Sequence, residues 1–482
     1  MTTRFGDLVM VLPGILGSKL VRTTKRFNAE VVWNFSIRDL PSLLLEIAKG
    51  GLVYSPDDVD VDAVDLFEYQ LFPGFFGVDS YVGLVDTLGR SLGNAGQLVT
   101  FPYDWRASNA LAATALKTRA NDALRTWRTN SGNTDAKLWL ICHSMGGLVA
   151  RYFCEELGGA DITRTIVTLG TPHRGAVKAL DALANGKRFG PLSLDALVRS
   201  LPSVYELLPL FPCIRLDSEP FALKRIADFF GLDPVTGEDL EHPDPVAKLM
   251  PSTPLANLDR GMLKKALEFH AKIRVPALAR PAGEQGPYTQ EAFLNRRQPT
   301  SSSARLSGGR LEIFDFYPEL RDGRVVEPDQ GGDGTVPFFS SVPIEWDDTL
   351  CAYNLDDKHA ALQGGTILHE SLNNWINPLD VRAKRDAAQD QRAVPKLKVP
   401  AVVSIDEEWV VETAAISPGN FKLQVEQVET GNVVERGVLH PGGDRPVTTA
   451  FKGLPQGVHR IKVLSPNPAL PVVSDYTLVL VD

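Results

Sequence analysis

A serine hydroxyl is a poor nucleophile until a base takes its proton. The run Leu138-Trp-Leu-Ile-Cys-His-Ser-Met-Gly-Gly-Leu-Val-Ala-Arg-Tyr-Phe places Ser144 where that exchange can be arranged. It reads as an apolar strand, a tight turn and a helix, with the serine at the turn, the layout of a nucleophile elbow. Strand and helix come close there, so the positions two before and two after the serine must be small. Here they are Cys142 and Gly146, and Gly147 adds room on the helix side. Cysteine replaces the usual glycine but is still small. The serine also needs a histidine base and a carboxylate that holds the histidine in the right tautomer. Downstream, Asp329-Gln-Gly-Gly-Asp-Gly-Thr-Val-Pro offers Asp333 in a glycine-rich turn, and Asp356-Asp-Lys-His-Ala-Ala-Leu offers His359 just before a helical segment. The chain order Ser, Asp, His suits an elbow serine. Asp356 and Asp357 read as solvated carboxylates on the His359 loop, capping the next helix. His369 reads as a packed or surface histidine within that helix, and His173 precedes the acid in the chain.

Acyl transfer from an ester builds negative charge on the former carbonyl oxygen, which backbone N–H groups can meet. One donor is expected from Met145, the residue after the serine, and the second from Ile15 in Pro13-Gly-Ile-Leu-Gly-Ser, which follows an early strand. Gly14 and Gly17 allow the backbone to approach closely. Neither Gly-Lys-Ser nor Gly-Lys-Thr follows, so this is not a phosphate loop. Gly331-Gly-Asp-Gly lacks the spaced oxygen ligands and terminal Glu of a calcium loop, and the histidines show no zinc spacing. No cofactor and no metal are expected.

These residues need a scaffold that brings distant segments together. Apolar runs at residues 8–12, 138–142 and 165–169 alternate with helical stretches, which predicts a mostly parallel sheet covered on both faces. With the elbow, this makes the expected fold class α/β, specifically an α/β-hydrolase over residues 1–379. Residues 187–311 lose the alternation and read as an inserted cap or lid, with Gln298-Pro-Thr-Ser-Ser-Ser-Ala as an exposed, mobile loop. Residues 380–399 are charged, Ala-rich and Pro-flanked, as in a linker. From 400 to 482, about seven short β-type runs separated by glycine-bearing turns predict a small all-β sandwich, immunoglobulin-like or fibronectin-like, around a single tryptophan, Trp409. Two amphipathic helices are expected: Leu40, Leu43, Leu44 and Ile47 share one face before Gly50-Gly51, and Leu194, Leu197, Val198 and Leu201 share another before Pro202.

With 44% apolar and 23% charged residues and a formal charge of −9, the 482-residue chain is globular and not a nucleic-acid binder. Contact with lipid would be mainly apolar and peripheral. Cys142, Cys154, Cys213 and Cys351 are scattered and read as reduced core residues. The opening apolar run ends at Pro13-Gly14, which suits a buried strand better than a signal segment, and no stretch reaches the roughly 18 apolar residues of a spanning helix. A cytoplasmic location is expected.

Beyond the elbow, several blocks stand out: Pro13-Gly-Ile-Leu-Gly-Ser-Lys-Leu, Val32-Trp-Asn-Phe with the following helix, Phe101-Pro-Tyr-Asp-Trp-Arg, His143-Ser-Met-Gly, Ser200-Leu-Pro-Ser-Val-Tyr-Glu-Leu-Leu-Pro, and Gly332-Asp-Gly-Thr-Val-Pro with His359. Together they resemble the lecithin:cholesterol acyltransferase family, which includes lysosomal phospholipase and phospholipid:diacylglycerol acyltransferases. The likeness covers roughly the first 375 residues. It implies an acyl-enzyme on Ser144 formed from a glycerolipid ester, with Val32-Trp-Asn-Phe as a membrane-proximal segment and residues 200–209 as part of a lid. Asp104 and Arg106 are expected to form a structural ion pair beside the site. The family's secreted members carry disulfides near the membrane-proximal loop, where this chain has no cysteine, and the C-terminal sandwich is extra. The resulting expectation is a phospholipase A or lipid esterase. Transfer of the acyl group to a sterol, diacylglycerol or other alcohol is the alternative. A reading of another class is an effector whose sandwich binds a protein partner.

Overall fold

Leu8–Leu12 is a strand with all five residues buried, as expected for a strand covered on both faces. In the computed structural model this strand, β1, lies inside a six-stranded sheet. The structure describes residues 5–23, 29–34, 40–57, 60–66, 81–189, 192–279, 286–321, 324–326, 328–346, 352–377, 396–400, 402–414, 421–428, 430, 432–439, 447–464 and 473–480. The other strands of the sheet are β2 (Leu98–Thr100), β3 (Leu138–His143), β4 (Thr163–Leu169), β5 (Thr289–Leu294) and β6 (Tyr353–Asn354). Their spatial order is β6-β5-β4-β3-β1-β2, with every pairing parallel.

The period of two along these strands divides the apolar residues between two cores. Leu8, Met10 and Leu12, with Leu138, Leu140 and Cys142, face one cluster, while Val9, Val11 and Ile141 face the other. The helices Asn109–Ser131 (α1) and Gly146–Glu156 (α2) cover the first face through Leu116, Leu124, Leu148 and Phe153. Helices Val82–Leu92 and Thr366–Ile376 cover the second through Leu84, Leu88, Leu368 and Leu372. The molecule is thus α/β with a mostly parallel central sheet, accompanied by separate small β sheets.

Both expected amphipathic helices form, and both turn inward. Leu40–Ala48 buries Leu43 and Ile47, and Gly50, at φ 72°, closes its end. Asp195–Ser200 buries Leu197 and Val198, Leu194 and Leu201 are buried beside it, and Pro202 opens a further short turn instead of extending the helix.

The stretch 187–311 differs from its reading as a single cap. It contains β5, a strand of the central sheet, which went unread because Thr289, Gln290 and Glu291 make its first half polar. Before and after β5, strands Ile214–Leu216, Glu219–Lys224, Ser303–Ser307 and Arg310–Phe314 build a separate four-stranded sheet. Nor is Gln298-Pro-Thr-Ser-Ser-Ser-Ala an exposed loop: Gln298, Thr300, Ser302 and Ser303 are buried. Their hydroxyls stay inside because each finds a backbone acceptor, Thr300 on the Gln298 carbonyl, Ser302 on that of Thr300 and Ser303 on that of Phe316.

At the C-terminal end, strands β7 (Lys396–Lys398), β8 (Val402–Ser404), β9 (Trp409–Ala414), β10 (Phe421–Gln427), β11 (Val433–Leu439), β12 (Val447–Phe451), β13 (Gly457–Leu464) and β14 (Val473–Leu480) form two sheets. Their orders are β7-β9-β12 and β8-β14-β13-β10-β11. One apolar cluster takes residues from both, with Trp409 stacked on Phe451 at 4.9 Å. The expected linker lies mostly outside the described residues, as does Cys351. Among the described residues, no helix is long and apolar enough to cross a membrane.

The start of α1 depends on a buried carboxylate from residues 200–209. Glu206 accepts hydrogen bonds from the Ser108 hydroxyl (2.5 Å) and the Asn109 N–H (2.7 Å), which satisfies a free donor of the helix's first turn. Burial outweighs these bonds and pushes the Glu206 carboxyl from 4.5 up to about 7. The native state therefore holds a proton that the unfolded chain releases above pH 4.5, so this group makes stability fall as pH rises until about 7. Urea unfolding at pH 5 and pH 8 should show the wild type losing on the order of 2–3 kcal/mol more than Glu206→Gln across that window.

Candidate active site

Ser144 sits between the end of β3 and the start of α2 with φ 50°, a left-handed backbone that costs a non-glycine residue roughly 1–2 kcal/mol. Hydrogen bonds hold it there. The Ser144 N–H donates to the Leu169 carbonyl at 2.8 Å, and the Ser144 carbonyl accepts from the Thr171 hydroxyl at 2.9 Å. The glycines that follow are required by contact rather than by φ. A Cβ on Gly146 would lie 2.5 Å from the Pro13 carbonyl oxygen, and one on Gly147 would lie 2.0 Å from Thr171 Oγ1. Cys142 tolerates its position because its side chain enters the apolar cluster beneath the sheet. Burial pushes its thiol well up, so it stays protonated.

The expected acid and base arrive at the serine. His359 Nε2 is 2.8 Å from Ser144 Oγ, and His359 Nδ1 is 2.7 Å from Asp333 Oδ2. A carboxylate only accepts, so Nδ1 carries the proton and Nε2 faces the serine hydroxyl as an acceptor. Asp333 is fixed in turn: its Oδ1 takes the N–H groups of Thr335 (2.9 Å) and Val336 (2.7 Å), and its carbonyl takes the His359 N–H (2.8 Å). Gly170, at φ 59°, lets this pair approach β4; a Cβ there would lie 2.7 Å from Asp333 Oδ2. All three side chains are nearly covered, Ser144 being 4% exposed.

The Pro13 loop meets the serine from the other side. A Cβ on Gly14 would fall 2.9 Å from Ser144 Cβ. The N–H groups of Ile15 and Met145 donate to no acceptor among the described residues. Residues of the Phe101-Pro-Tyr-Asp-Trp-Arg block hold this loop. Tyr103 donates its hydroxyl to the Pro13 carbonyl at 2.8 Å, and Trp105 packs edge-on against Trp33, whose Nε1 donates to the Leu16 carbonyl at 3.1 Å. Trp33 is therefore a buried support of the loop. Asp104 and Arg106 form the expected ion pair, with Nε at 3.0 Å and Nη2 at 2.8 Å, and the Arg106 side chain is fully buried.

A second hydrogen-bonded chain escaped the sequence reading. His143 Nε2 lies 2.9 Å from the His359 carbonyl, so that nitrogen must be the donor. Its Nδ1 is then an acceptor and takes the Tyr81 hydroxyl proton at 2.8 Å, while the Tyr81 oxygen accepts the Gly14 N–H at 2.9 Å. Every partner has a fixed direction, from Gly14 through Tyr81 and His143 to the carbonyl of His359. Burial, with a smaller contribution from His359, lowers His143 to about 3, so it remains neutral. The motif displays His143, but nothing in the sequence marks Tyr81 as its partner.

The neighbouring candidates fall outside this arrangement. Asp356 is a buried carboxylate paired with Arg297, a correction to its reading as solvated; burial pushes it up despite that partner. Its spacing from His359 gave no sign of an arginine brought over from the end of β5. Asp357 takes the Asn295 amide on its carbonyl at 2.9 Å. His369 is a packing residue, bonded to the Gln363 carbonyl at 2.8 Å and near the Thr87 hydroxyl at 3.2 Å. His173 is buried, with Nε2 bonded to nothing among the described residues. Also missed were Gln298, whose N–H donates to the Gly332 carbonyl at 3.0 Å, and Thr300, whose hydroxyl accepts the Gly334 N–H at 2.9 Å. Both brace the turn that carries Asp333. Among the described residues, no cluster of His, Cys, Asp or Glu could hold a metal ion.

A family model described as lecithin:cholesterol acyltransferase matches residues 59–275. No curated protein matches the chain. Among solved structures, superoxide reductase (neelaredoxin) from Ignicoccus hospitalis is 17% identical over 18% of this chain and 80% of that one, with a TM-score of 0.15. A CARDB domain from Pyrococcus furiosus is 17% identical over 18% of this chain and 85% of that one, at 0.14. An engineered protein is 11% identical over 77% of this chain and 61% of its own, at 0.19. At such TM-scores these overlaps carry no argument about fold or function.

Tyr81→Phe removes the acceptor of the Gly14 N–H and the donor to His143 Nδ1, leaving two buried groups unpaired. It should cost about 1–3 kcal/mol in urea unfolding, and the nitrogen NMR shift of His143 Nδ1 should move while Nε2 stays protonated.

Proposed function

We propose, from the match of residues 59–275 to the lecithin:cholesterol acyltransferase family model, that the chain is a serine esterase of the α/β-hydrolase fold that cleaves acyl esters of glycerolipids. The observation that carries this reading is the pair of contacts at His359, 2.8 Å to Ser144 Oγ and 2.7 Å to Asp333 Oδ2, made by residues 144, 333 and 359 in the order such enzymes use. The catalytic unit spans residues 1–379, and the β unit of 400–482 is a second domain.

Ser144 Oγ attacks the acyl carbonyl carbon as His359 Nε2 takes the hydroxyl proton. Asp333, held by two backbone N–H groups, stabilises the imidazolium that results. The oxyanion of the tetrahedral intermediate is met by the N–H groups of Ile15 and Met145, each worth roughly 10²–10³ in rate. Collapse breaks the ester C–O bond, His359 returns its proton to the departing alcohol oxygen, and the acyl group remains on Ser144. A water molecule, deprotonated by the same nitrogen, then attacks the acyl-enzyme; the fatty acid leaves as the proton returns to Ser144 Oγ. With Ser144 only 4% exposed, part of the surrounding chain must move to admit an acyl chain.

Transfer to an alcohol is the second reading, favoured by the description of the matching family model. It uses the same residues and differs only in the nucleophile of the second step. Phospholipid vesicles incubated with purified protein, with and without a sterol or diacylglycerol, should release free fatty acid in the first reading and accumulate new ester in the second. Ser144→Ala should lower either product by roughly 10³-fold or more, and a fluorophosphonate should label the wild type but not the variant. Unchanged turnover in Ser144→Ala would refute the mechanism.

A further inference from the structure

The C-terminal β unit touches the catalytic unit beside the acid and the base. Asp475, on β14, forms an ion pair with Lys358, the residue immediately before His359; the two side chains are 22% and 14% exposed. On the other side, the Leu397 N–H of β7 points to Gln298 Oε1 at 3.4 Å, and the Gln298 N–H donates to the carbonyl of Gly332, the residue immediately before Asp333. Val428 and Val458, after β10 and within β13, join the apolar cluster of the catalytic unit. The interface is thus a polar contact at each of the two loops plus an apolar seat.

Charge singles out the Asp475 contact. Lys178 lies half-buried behind the turn that carries Asp333, with Nζ 3.4 Å from the Gly334 carbonyl and from Thr335 Oγ1. Burial, then the nearby Lys187, lowers its ammonium to about 8; Asp475 and Asp333 oppose that shift, and Lys358 adds to it. Among the described residues, the charged and titratable groups around His359 include Asp333, bonded to it, Lys358 and Lys178, the Asp356–Arg297 pair, Asp357, and the neutral His143. Asp333 is already committed to His359. Asp475, from the C-terminal unit, is the other carboxylate that opposes the shift of Lys178, and it also pairs with Lys358.

We infer that the C-terminal β unit is a working part of the active site. Asp475 and Leu397 position the loops that carry His359 and Asp333, and Asp475 supplies the negative charge that balances Lys358 and Lys178. Esterase chemistry makes His359 cationic in the transition state. Without Asp475, two ammonium groups would oppose that charge through a partly dry interface, where a unit charge acts more strongly than in water. Asp475 is thus a positioning and electrostatic residue that acts through Lys358.

This inference rests on the serine-esterase reading, and the test separates the two. Full-length wild type, Asp475→Asn, Lys358→Met, the double variant and Ser144→Ala are compared on a soluble p-nitrophenyl ester across pH, with melting temperature measured alongside. Asp475→Asn should lower kcat about 5- to 20-fold with KM within about twofold. It should also move the acid limb of kcat/KM to lower pH by about half a unit or more, because an unbalanced cation disfavours protonated His359. Lys358→Met should move that limb to higher pH, and the double variant should return it toward wild type and restore part of kcat. A purely structural contact gives no such rescue, so a double variant no better than Asp475→Asn overturns the inference. Wild-type kinetics in Asp475→Asn with Ser144→Ala inactive overturns it too and leaves the esterase reading standing. If Asp475→Asn does not fold, an unmoved acid limb in Lys358→Met overturns the inference instead. Hydrolysis that persists in Ser144→Ala refutes the esterase reading, and the inference falls with it.

Discussion

Three pieces of backbone converge on Ser144, and the rest of the site is arranged around that convergence. The turn at φ 50° lifts the serine out of the strand. Its strain is held by bonds to β4 and to Thr171, and the space it needs exists because residues 14, 146 and 147 lack a Cβ. The Pro13 carbonyl, which a side chain on Gly146 would strike, is the same atom that accepts the Tyr103 hydroxyl. The Phe101 to Arg106 block therefore acts on the serine from a distance, by fixing the loop against which the elbow turns. A bidentate Asp104–Arg106 pair, with the guanidinium fully buried and the carboxylate partly exposed, is suited to that task, since its geometry is rigid.

Hydrogen-bond direction gives the site a second kind of order. The chain from Gly14 to the His359 carbonyl has one consistent polarity, and so does the one from Ser144 through His359 to Asp333. The two meet at His359, one on its ring and one on its carbonyl. Displacing the Pro13 loop would thus disturb His359 as well as the N–H groups of Ile15 and Met145. A neutral His143 is essential to this coupling: as a cation it would donate from both nitrogens, and the Tyr81 hydroxyl would lose its acceptor. Burial lowers it to about 3, which keeps it neutral.

What could be read in the sequence followed from local physics. Strands β1, β3 and β4 announce themselves as apolar runs, the elbow as small residues around a serine, and the acid as an aspartate among glycines. Strand β5 was hidden because its first half is polar, and the Ser/Thr segment after it was misread because hydroxyls look solvent-seeking until their backbone acceptors are known. Tyr81, Gln298 and Asp475 were illegible for one shared reason. Each acts on a residue 62 positions away (Tyr81 on His143), across a backbone bridge (Gln298 on Gly332) or 117 positions away (Asp475 on Lys358). No periodicity connects such positions.

The match to the acyltransferase family model ends at residue 275, whereas Asp333 and His359 come later in the chain. Ser144 is rigid because a strand and a helix meet at it, while Asp333 and His359 sit on turns whose conformation depends on what packs behind them. Thr300 and Gln298 hold the first turn from within the catalytic unit, and Gly170 sets how closely both turns approach the sheet. Lys358, on the second turn, is held by Asp475 from the C-terminal unit. The C-terminal unit thus touches both turns, through Asp475 on Lys358 and through Leu397 on Gln298.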